Sequence, residues 1–449
     1  MASTSQNLTL CFARGSSHPI IATSSKPNHI PENHILICVD RFGFSANNIT
    51  YQALGEHPHF RYFDFHAPPN EGGISAKTHG VVPVWGFGTV IATSHPNVHV
   101  GERLYGYLAP TRYLLVEIDP KDGNKHAIYV PRPHFPPDRR LYNQILRCAT
   151  DPVYTHETED LIMLYRPLFW TSFWCEDWLH TSGYHGGCDV MLVSSASSKT
   201  AFCFAYCVGK RASQRKIKLI GITSSKNLAF TKSLGLYDEV YSYDDFTSVP
   251  ALQGSREGPK RTKWVYVDVS GSDKLNEKVY KHFGSPYTGK LVMSVSLGMT
   301  TLTPASVVGA SAGDADSMSA LLSANSGNVM SVSSNGNSAT TATGEAELYP
   351  KLEKFFTPEW LEVRRKQIPL QEIFAMQKRA WTELMRDCRG WVKIERVYSL
   401  RGERIKEEYE KIEKEGVAPD VGMVWSMWSG EDEIAAVCNG VSGISKAKL

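Results

Sequence analysis

The run Asp189 to Ala201, DVMLVSSASSKTA, groups small hydroxylated residues, an ammonium group and a helix start in the order that binding a phosphate would need. Met191 to Val193 form an apolar strand too short to be a helix, and Ser194 to Ser198 are turn residues. Thr200 to Val208 are apolar enough for a buried helix. The first turn of such a helix presents unpaired backbone N–H groups and the positive end of its dipole, so a nucleotide pyrophosphate would sit there. Ser195, Ser197, Ser198, Lys199 and Thr200 are the candidate contacts. Dinucleotide turns favour glycine because a Cβ holds the phosphate off the backbone, and serine is a tolerable substitute. Lys199 either points its ammonium at the phosphates or fills the space they would need, and the sequence leaves both open. A Walker-type loop fits poorly, since Ser198-Lys199-Thr200 matches only its end and Val193 stands at its first glycine position.

A second candidate patch follows the next apolar strand, Lys216 to Thr223. Thr223, Ser224, Ser225 and Lys226 lie at the strand end where a Rossmann unit meets the adenosine ribose. An acidic residue there would bind the ribose hydroxyls of NAD, whereas hydroxyls and a lysine suit a 2′-phosphate, so NADP is the expected cofactor. A plain solvated loop between strand and helix is the competing reading. Two later strand ends carry small residues, Ser270-Gly271-Ser272 and Ser296-Leu297-Gly298, so Ser270 and Gly298 join the list of cofactor-side residues. Turn geometry alone would also explain them.

The elements that must position these groups alternate. Asn227 to Leu236 reads as a short helix stopped by Gly235, Glu239 to Tyr243 as a strand, Lys263 to Val269 as another, and Lys290 to Leu297 as a fifth. Strands separated by helical patterns predict a parallel, doubly wound α/β sheet. Upstream the texture differs. His34 to Asp40, Val82 to Thr93, Glu102 to Leu108 and Tyr113 to Ile118 are short β-rich runs broken by glycine and proline, as in an antiparallel barrel. Residues 134 to 188 read as helical connectors, with Trp170, Phe173, Trp174 and Trp178 as a core stripe at helical spacing. Thr303 to Glu347 is low in complexity and is expected to form a disordered insert. Thr357 to Arg386 is a helical stretch broken near Pro369, followed by a strand at Val392 to Val397, a charged helix at Arg401 to Glu415 and a strand at Gly422 to Trp428. Residues 1–30 and 429–449 are expected to be loose.

Composition excludes several classes of function. The chain has 449 residues, is 42% hydrophobic and 21% charged, and carries a net charge of +2, with no basic stripe that would make nucleic acid the default partner. No apolar run reaches the roughly 18 residues that cross a bilayer. The N-terminus lacks the apolar core of a secretion signal, and the nine cysteines include no CxxC pair, so a reduced cytoplasmic protein without a structural zinc site is expected. Few acidic groups, Ser/Thr content and Arg14 near the N-terminus leave a weaker mitochondrial-transit reading. His57, His59 and His66 beside Arg61, Tyr62 and Asp64 could make a metal or acid–base cluster, although HxH also occurs by chance in loops.

The order of these parts resembles the medium-chain dehydrogenase/reductase superfamily. VDRFGFSANNITYQALGE (Val39 to Glu56) resembles its substrate-side segment, and PVWGFGTVIATSHPNVHVGERLYGY (Pro83 to Tyr107) its glycine-bearing strand pair, ending in a turn at Gly101-Glu102-Arg103. The phrases DRFGFSANNITY, PVWGFG, RPLFWTSFW, SSASSKTA and GLYDEVYSYDDF resemble more closely an uncharacterised fungal and bacterial family beside that superfamily, known mainly as a domain of unknown function. The resemblance implies a GroES-like β-rich barrel domain (31–160 and 389–428) plus a Rossmann-type NADP-binding domain (161–388).

It also implies that Tyr51 donates a proton or polarises a carbonyl, that Asn48 holds the substrate oxygen, and that Thr171 and Ser172 lie near the nicotinamide amide. Each has a plainer reading: Tyr51 as a buried ring, Asn48 as a turn or cap residue, and Thr171 and Ser172 as helix caps. Arg41 would orient an acidic substrate or join an ion pair. Ser45 and Gly86-Phe87 replace the zinc ligands of the alcohol dehydrogenases, so metal catalysis is not expected. The expected activity is NADPH-dependent, zinc-independent reduction of a small carbonyl or conjugated enone metabolite, with fungal secondary metabolism as a setting. A redox-neutral isomerase or lyase and a non-catalytic NADPH-binding protein remain alternatives. A small-molecule substrate, no nucleic acid, no membrane, and a monomer or homodimer complete the reading.

Overall fold

The computed structural model describes residues 5–58, 60–136, 139–211, 217–253, 262–285, 288–298, 350 and 352–442. The chain forms two compact units, one of residues 1–167 and 362–449, the other of 168–302 and 306–361. The first holds strands β1 (Gln6–Ala13), β2 (Pro19–Ser25), β3 (His34–Phe44), β4 (His79–Gly80), β5 (Val84–Thr93), β6 (Arg103–Leu108), β7 (Tyr113–Glu117), β8 (Ala127–Tyr129) and β9 (Gln144–Arg147). Helices α1 (Ala46–Ala53) and α2 (Arg140–Asn143) lie among them, and the chain passes into the second unit within α3 (Glu159–Thr181). There follow β10 (Val190–Val193), α4 (Lys199–Arg211), β11 (Lys218–Thr223), α5 (Leu228–Ser233), β12 (Glu239–Ser242), β13 (Lys263–Asp268), α6 (Asp273–Phe283), β14 (Lys290–Ser296) and β15 (Leu352–Lys354). From α7 (Thr357–Gln367) the chain returns to the first unit, which ends in α8 (Leu370–Asp387), β16 (Lys393–Tyr398), α9 (Glu403–Glu415), β17 (Val421–Ser426) and α10 (Glu431–Ser442).

The second unit is built on a six-stranded sheet in the order β12-β11-β10-β13-β14-β15, every pair of which is parallel. That is the order of a Rossmann-type sheet, with the reversal of direction beside β10 where such sheets bind ligands. β10 is buried at all four positions because helices cover both faces of a parallel sheet, which is why it reads as a continuous apolar run. Trp174 and Trp178 of the aromatic stripe are buried, and Trp178 joins Met191, Val193, Phe204 and Val267 in one of the two cores flanking the sheet.

The first unit has an eight-stranded sheet, β16-β17-β3-β5-β6-β9-β8 with β7 also on β3, and a three-stranded sheet, β2-β1-β4. The late strand–helix–strand returns to this unit as expected: β16 and β17 run parallel, and β17 pairs antiparallel with β3.

Three expectations are corrected. Within 1–30 the described residues are not loose, since β1 and β2 pair over seven residues. Polar residues in β1 hide the strand from a hydrophobic count, because they are satisfied internally: Asn7 donates to Tyr113 O at 3.0 Å, and the Thr9 and Thr111 hydroxyls share a bond of 2.8 Å. The described part of the tail, 429–442, is not loose either. It forms α10, with Glu431, Asp432 and Glu433 in its first turn complementing the helix dipole and Ile434 packed into the core. The Rossmann-type unit spans 168–361 instead of 161–388, because α8 belongs to the first unit. The expected break near Pro369 does separate α7 from α8. The 303–347 insert lies outside the described residues.

Candidate functional site

The turn between β10 and α4 has the left-handed step such turns require, at Ser195 with φ 51° and not at a glycine. Its backbone is partly spoken for. Ser195 N–H donates to Tyr243 Oη at 3.0 Å, Ala196 N–H to Ile222 O at 3.1 Å and Ser198 N–H to Ser195 O at 2.7 Å. Tyr237 Oη donates to Ala196 O at 3.0 Å, so two tyrosines, one on each side of β12, brace the turn. Lys199, the first residue of α4, is 8% exposed, which makes it part of the packed turn instead of a solvent-facing ammonium. Thr200 follows it in the first turn of α4, and the Thr200 carbonyl meets the Ser172 hydroxyl at 2.8 Å.

Ser197 links this turn to the loop after β11. Its Oγ accepts from Thr223 Oγ1 at 3.0 Å and from Asn227 Nδ2 at 3.1 Å. Both acceptor sites are then filled and the single hydroxyl proton is left to donate outward, the polarity an anion would want. Past β11 the loop opens: Ser225 and Lys226 are exposed, and Ser224 Oγ is buried without a hydrogen-bond partner. Ser225 Oγ donates to Asp244 Oδ2 at 3.3 Å, which brings a carboxylate to the edge of the loop where only hydroxyls and a lysine were expected.

Asp268, at the end of β13, is absent from the sequence-derived candidates. It is 1% exposed, and its Oδ1 accepts from Ser194 Oγ at 2.9 Å, Ser270 N at 3.0 Å, Ser270 Oγ at 2.8 Å and Gly271 N at 3.1 Å. Asn276 Nδ2 donates to Oδ2 at 2.9 Å. Ser194 Oγ in turn accepts from Val269 N and Ser270 N, so one carboxylate locks the ends of β10 and β13 together. Ser270 is thereby a brace within this network. Gly298 is required by space: a Cβ there would meet Val269 O at 2.8 Å. Thr171 and Ser172 are interior to α3 and not helix caps, because α3 is longer than the sequence suggests. Ser172 is fully buried between Leu168 O and Thr200 O.

In the other unit, Ser45 and Asn48 form a reciprocal cap on α1. Asn48 Oδ1 accepts from Ser45 N at 2.9 Å and its Nδ2 donates to Pro83 O at 3.2 Å, so the whole carboxamide serves the fold. Tyr51 is buried, its ring 4.4 Å from Tyr62 and 5.8 Å from Tyr107. Burial pushes its hydroxyl well above the usual phenol range, slightly offset by the Trp85 indole, so it is a phenol and never a phenolate at ordinary pH. Around it stand Trp85, Tyr105, Tyr107 and Tyr142, with Trp85 5.0 Å from Tyr107 and Tyr107 5.0 Å from Tyr142. The hydroxyls of Tyr105 and Tyr107 are buried without a hydrogen-bond partner. Strand alternation in RLYGYL could have placed both rings on one face, but nothing in the sequence marks their hydroxyls as unpaired.

The remaining candidates are structural. Arg41 pairs with Glu159 at 2.9 Å and with Asp160 and Glu431, each at 3.5 Å. His66 Nε2 meets Tyr107 O at 2.9 Å, and burial followed by the nearby Arg132 charge pushes its pKa down to about 3. It is a neutral core histidine. His59 lies outside the described residues, among which no group of three or more His, Cys, Asp or Glu side chains could hold a metal. No helix among them is long and apolar enough to cross a membrane.

No curated protein matches the chain. Among solved structures it resembles CurA from Vibrio vulnificus, with 14% identity and a TM-score of 0.50 over 94% of this chain and 98% of that one. It also resembles the yhdH oxidoreductase from Salmonella enterica in complex with NADP, at 12% identity and a TM-score of 0.45 over 94% and 99%. The quinone oxidoreductase from Coxiella burnetii gives 12% and 0.46 over the same shares. Likeness at such identities speaks to fold alone: a GroES-like β-rich unit and a Rossmann-type unit. Residues 42–418 match the model of a protein family of unknown function, and the chain belongs to that family, DUF2855.

Proposed function

We propose that this protein is an NADPH-dependent, zinc-independent oxidoreductase acting on a small carbonyl or conjugated enone metabolite. The observation that carries the reading is the ribose loop, where the exposed Lys226 and the buried, unpartnered Ser224 Oγ stand at the end of β11, next to the sheet's reversal of direction. A ligand oxygen would complete Ser224, and the Lys226 ammonium would neutralise a 2′-phosphate. Ser197, Ser198 and Thr200 would meet the pyrophosphate. Lys199 is too enclosed to reach out as a flexible cation, so its contribution is positive potential within the turn.

The cofactor, when bound, supplies the hydride. The chain's own part on the substrate side falls to Tyr51, a phenol held protonated by burial, which would polarise a carbonyl by donating a hydrogen bond. The unpaired Tyr105 and Tyr107 hydroxyls offer two further donors inside an aromatic wall, a lining suited to a flat substrate bearing oxygen. Asn48 is proposed to act by holding α1, and hence Tyr51, in place. The test is calorimetry with Lys226→Ala. Losing one exposed charge-assisted contact should weaken NADPH by about 5- to 30-fold, roughly 1–2 kcal/mol, and leave NADH unchanged. No NADPH binding by the wild type would remove the proposal.

A further inference from the structure

Eight of the nine cysteines are buried, and Cys438, on α10, is the one that is partly exposed. It packs into the same apolar cluster as Cys38 of β3, together with Leu36, Ile91, Trp428 and Ile434. Cys38 is paired in the sheet with Thr89 of β5 and Tyr113 of β7, so the helix lays Cys438 over a rigid strand position. The Cys38 thiol is pushed up, by its hydrogen-bonding interaction with Cys438 first and by burial second. Cys438 is drawn down by the same bond and, more weakly, by Thr89 and the Arg103 guanidinium, against burial and the Asp40 carboxylate. Elsewhere burial pushes the thiols of Cys11, Cys148 and Cys388 up to about 12, which makes them inert.

We propose that Cys438 and Cys38 are a peroxide-reactive dithiol, with Cys438 as the attacking and Cys38 as the resolving cysteine, whose disulfide fastens α10 to β3. The arrangement has the parts such a site requires: a partly exposed thiol, a buried partner thiol in the same cluster, and a packed setting that holds them together. Cys438 thiolate attacks a hydroperoxide, the O–O bond breaks, an alcohol or water leaves, and the sulfur becomes a sulfenic acid. The Cys38 sulfur then attacks that sulfur, the S–O bond breaks, and hydroxide leaves as water with the Cys38 proton. Two thiols and one hydroperoxide give one disulfide, one alcohol and one water.

The test treats the full-length protein with hydrogen peroxide, then alkylates it under denaturing conditions and maps the peptides. The expected result is a Cys38–Cys438 linked peptide, seven alkylated cysteines instead of nine, and reversal by dithiothreitol. In Cys38→Ala, trapping by dimedone at Cys438 should rise at least about tenfold over wild type, because the sulfenic acid is no longer resolved. Cys438→Ala should give neither product. The wild-type map does not depend on any variant folding. A map with Cys438 oxidised but unlinked, linked to another cysteine, or unmodified while other cysteines react would overturn the proposal.

Discussion

Replacing Asp268 tests whether one carboxylate organises the cofactor edge of the sheet. In Asp268→Ala the hydroxyls of Ser194 and Ser270 can rotate to new acceptors, and Ser270 N–H keeps Ser194 Oγ at 3.1 Å. Gly271 N–H and Asn276 Nδ2 have no such escape, since their bonds to Asp268 at 3.1 and 2.9 Å simply disappear. Each stranded donor costs about 1–3 kcal/mol, so with a small cavity the total is about 4 kcal/mol. In urea, with a slope of about 2 kcal/mol per M, the midpoint of the transition that includes this unit should fall by about 2 M. Asp268→Asn keeps the shape and one acceptor oxygen, turning charge-assisted bonds into neutral ones of about half the strength, and should cost about 1–2 kcal/mol. Tryptophan fluorescence reads the transition, because Trp264 lies four residues away on the same strand. A fall below about 0.5 M for Asp268→Ala, or equal losses for the two variants, would refute the reasoning.

Two more expectations concern the helices beside the turn. Glu176 of α3 pairs with Arg211 of α4 at 2.7 Å, yet burial outweighs that pairing and pushes its pKa up from 4.5 to about 7. An acid raised on folding favours the protonated native state, so its contribution, about 3 kcal/mol, is complete below pH ~4.5 and is lost as pH rises through ~7. Glu176→Gln should therefore flatten stability between pH 5 and 8, and an unchanged slope in paired urea titrations would contradict the assignment. Tyr243→Phe frees Ser195 N–H for a phosphate oxygen. It should tighten NADPH about 2- to 5-fold by calorimetry, roughly the worth of one neutral hydrogen bond; weaker binding would mean that the tyrosine positions the turn for the cofactor.

The alternation of short apolar strands with helices was legible because parallel strands buried on both faces leave unbroken hydrophobic runs, as in Val190–Val193 and Leu219–Ile222. β1 and α10 were not, because polar residues interrupt their apolar positions and their partners lie far away in the chain: Asn7 with Tyr113, Cys438 with Cys38. The positions of the turn and ribose loop followed from strand ends, whereas their bonding did not. Tyr243 capping Ser195 N–H, Asp244 reaching Ser225 and Asp268 drawing in Ser194 and Asn276 are contacts between separate elements that no local pattern encodes. Tyr51 stood out by type, but the unpaired hydroxyls of Tyr105 and Tyr107 depend on what fails to come near them.

Ser197 makes the turn after β10 and the loop after β11 interdependent. Because Thr223 and Asn227 both donate to its one oxygen, removing either changes how the other holds it, and with it the direction of the proton left over. Thr223→Val and Asn227→Ala should then be non-additive: a double-mutant cycle on NADPH affinity would carry an interaction energy of about 0.5–1.5 kcal/mol. Discrimination at the ribose and affinity for the pyrophosphate would move together, so altering cofactor preference in this fold at Lys226 leaves the grip intact, whereas altering it at Asn227 does not.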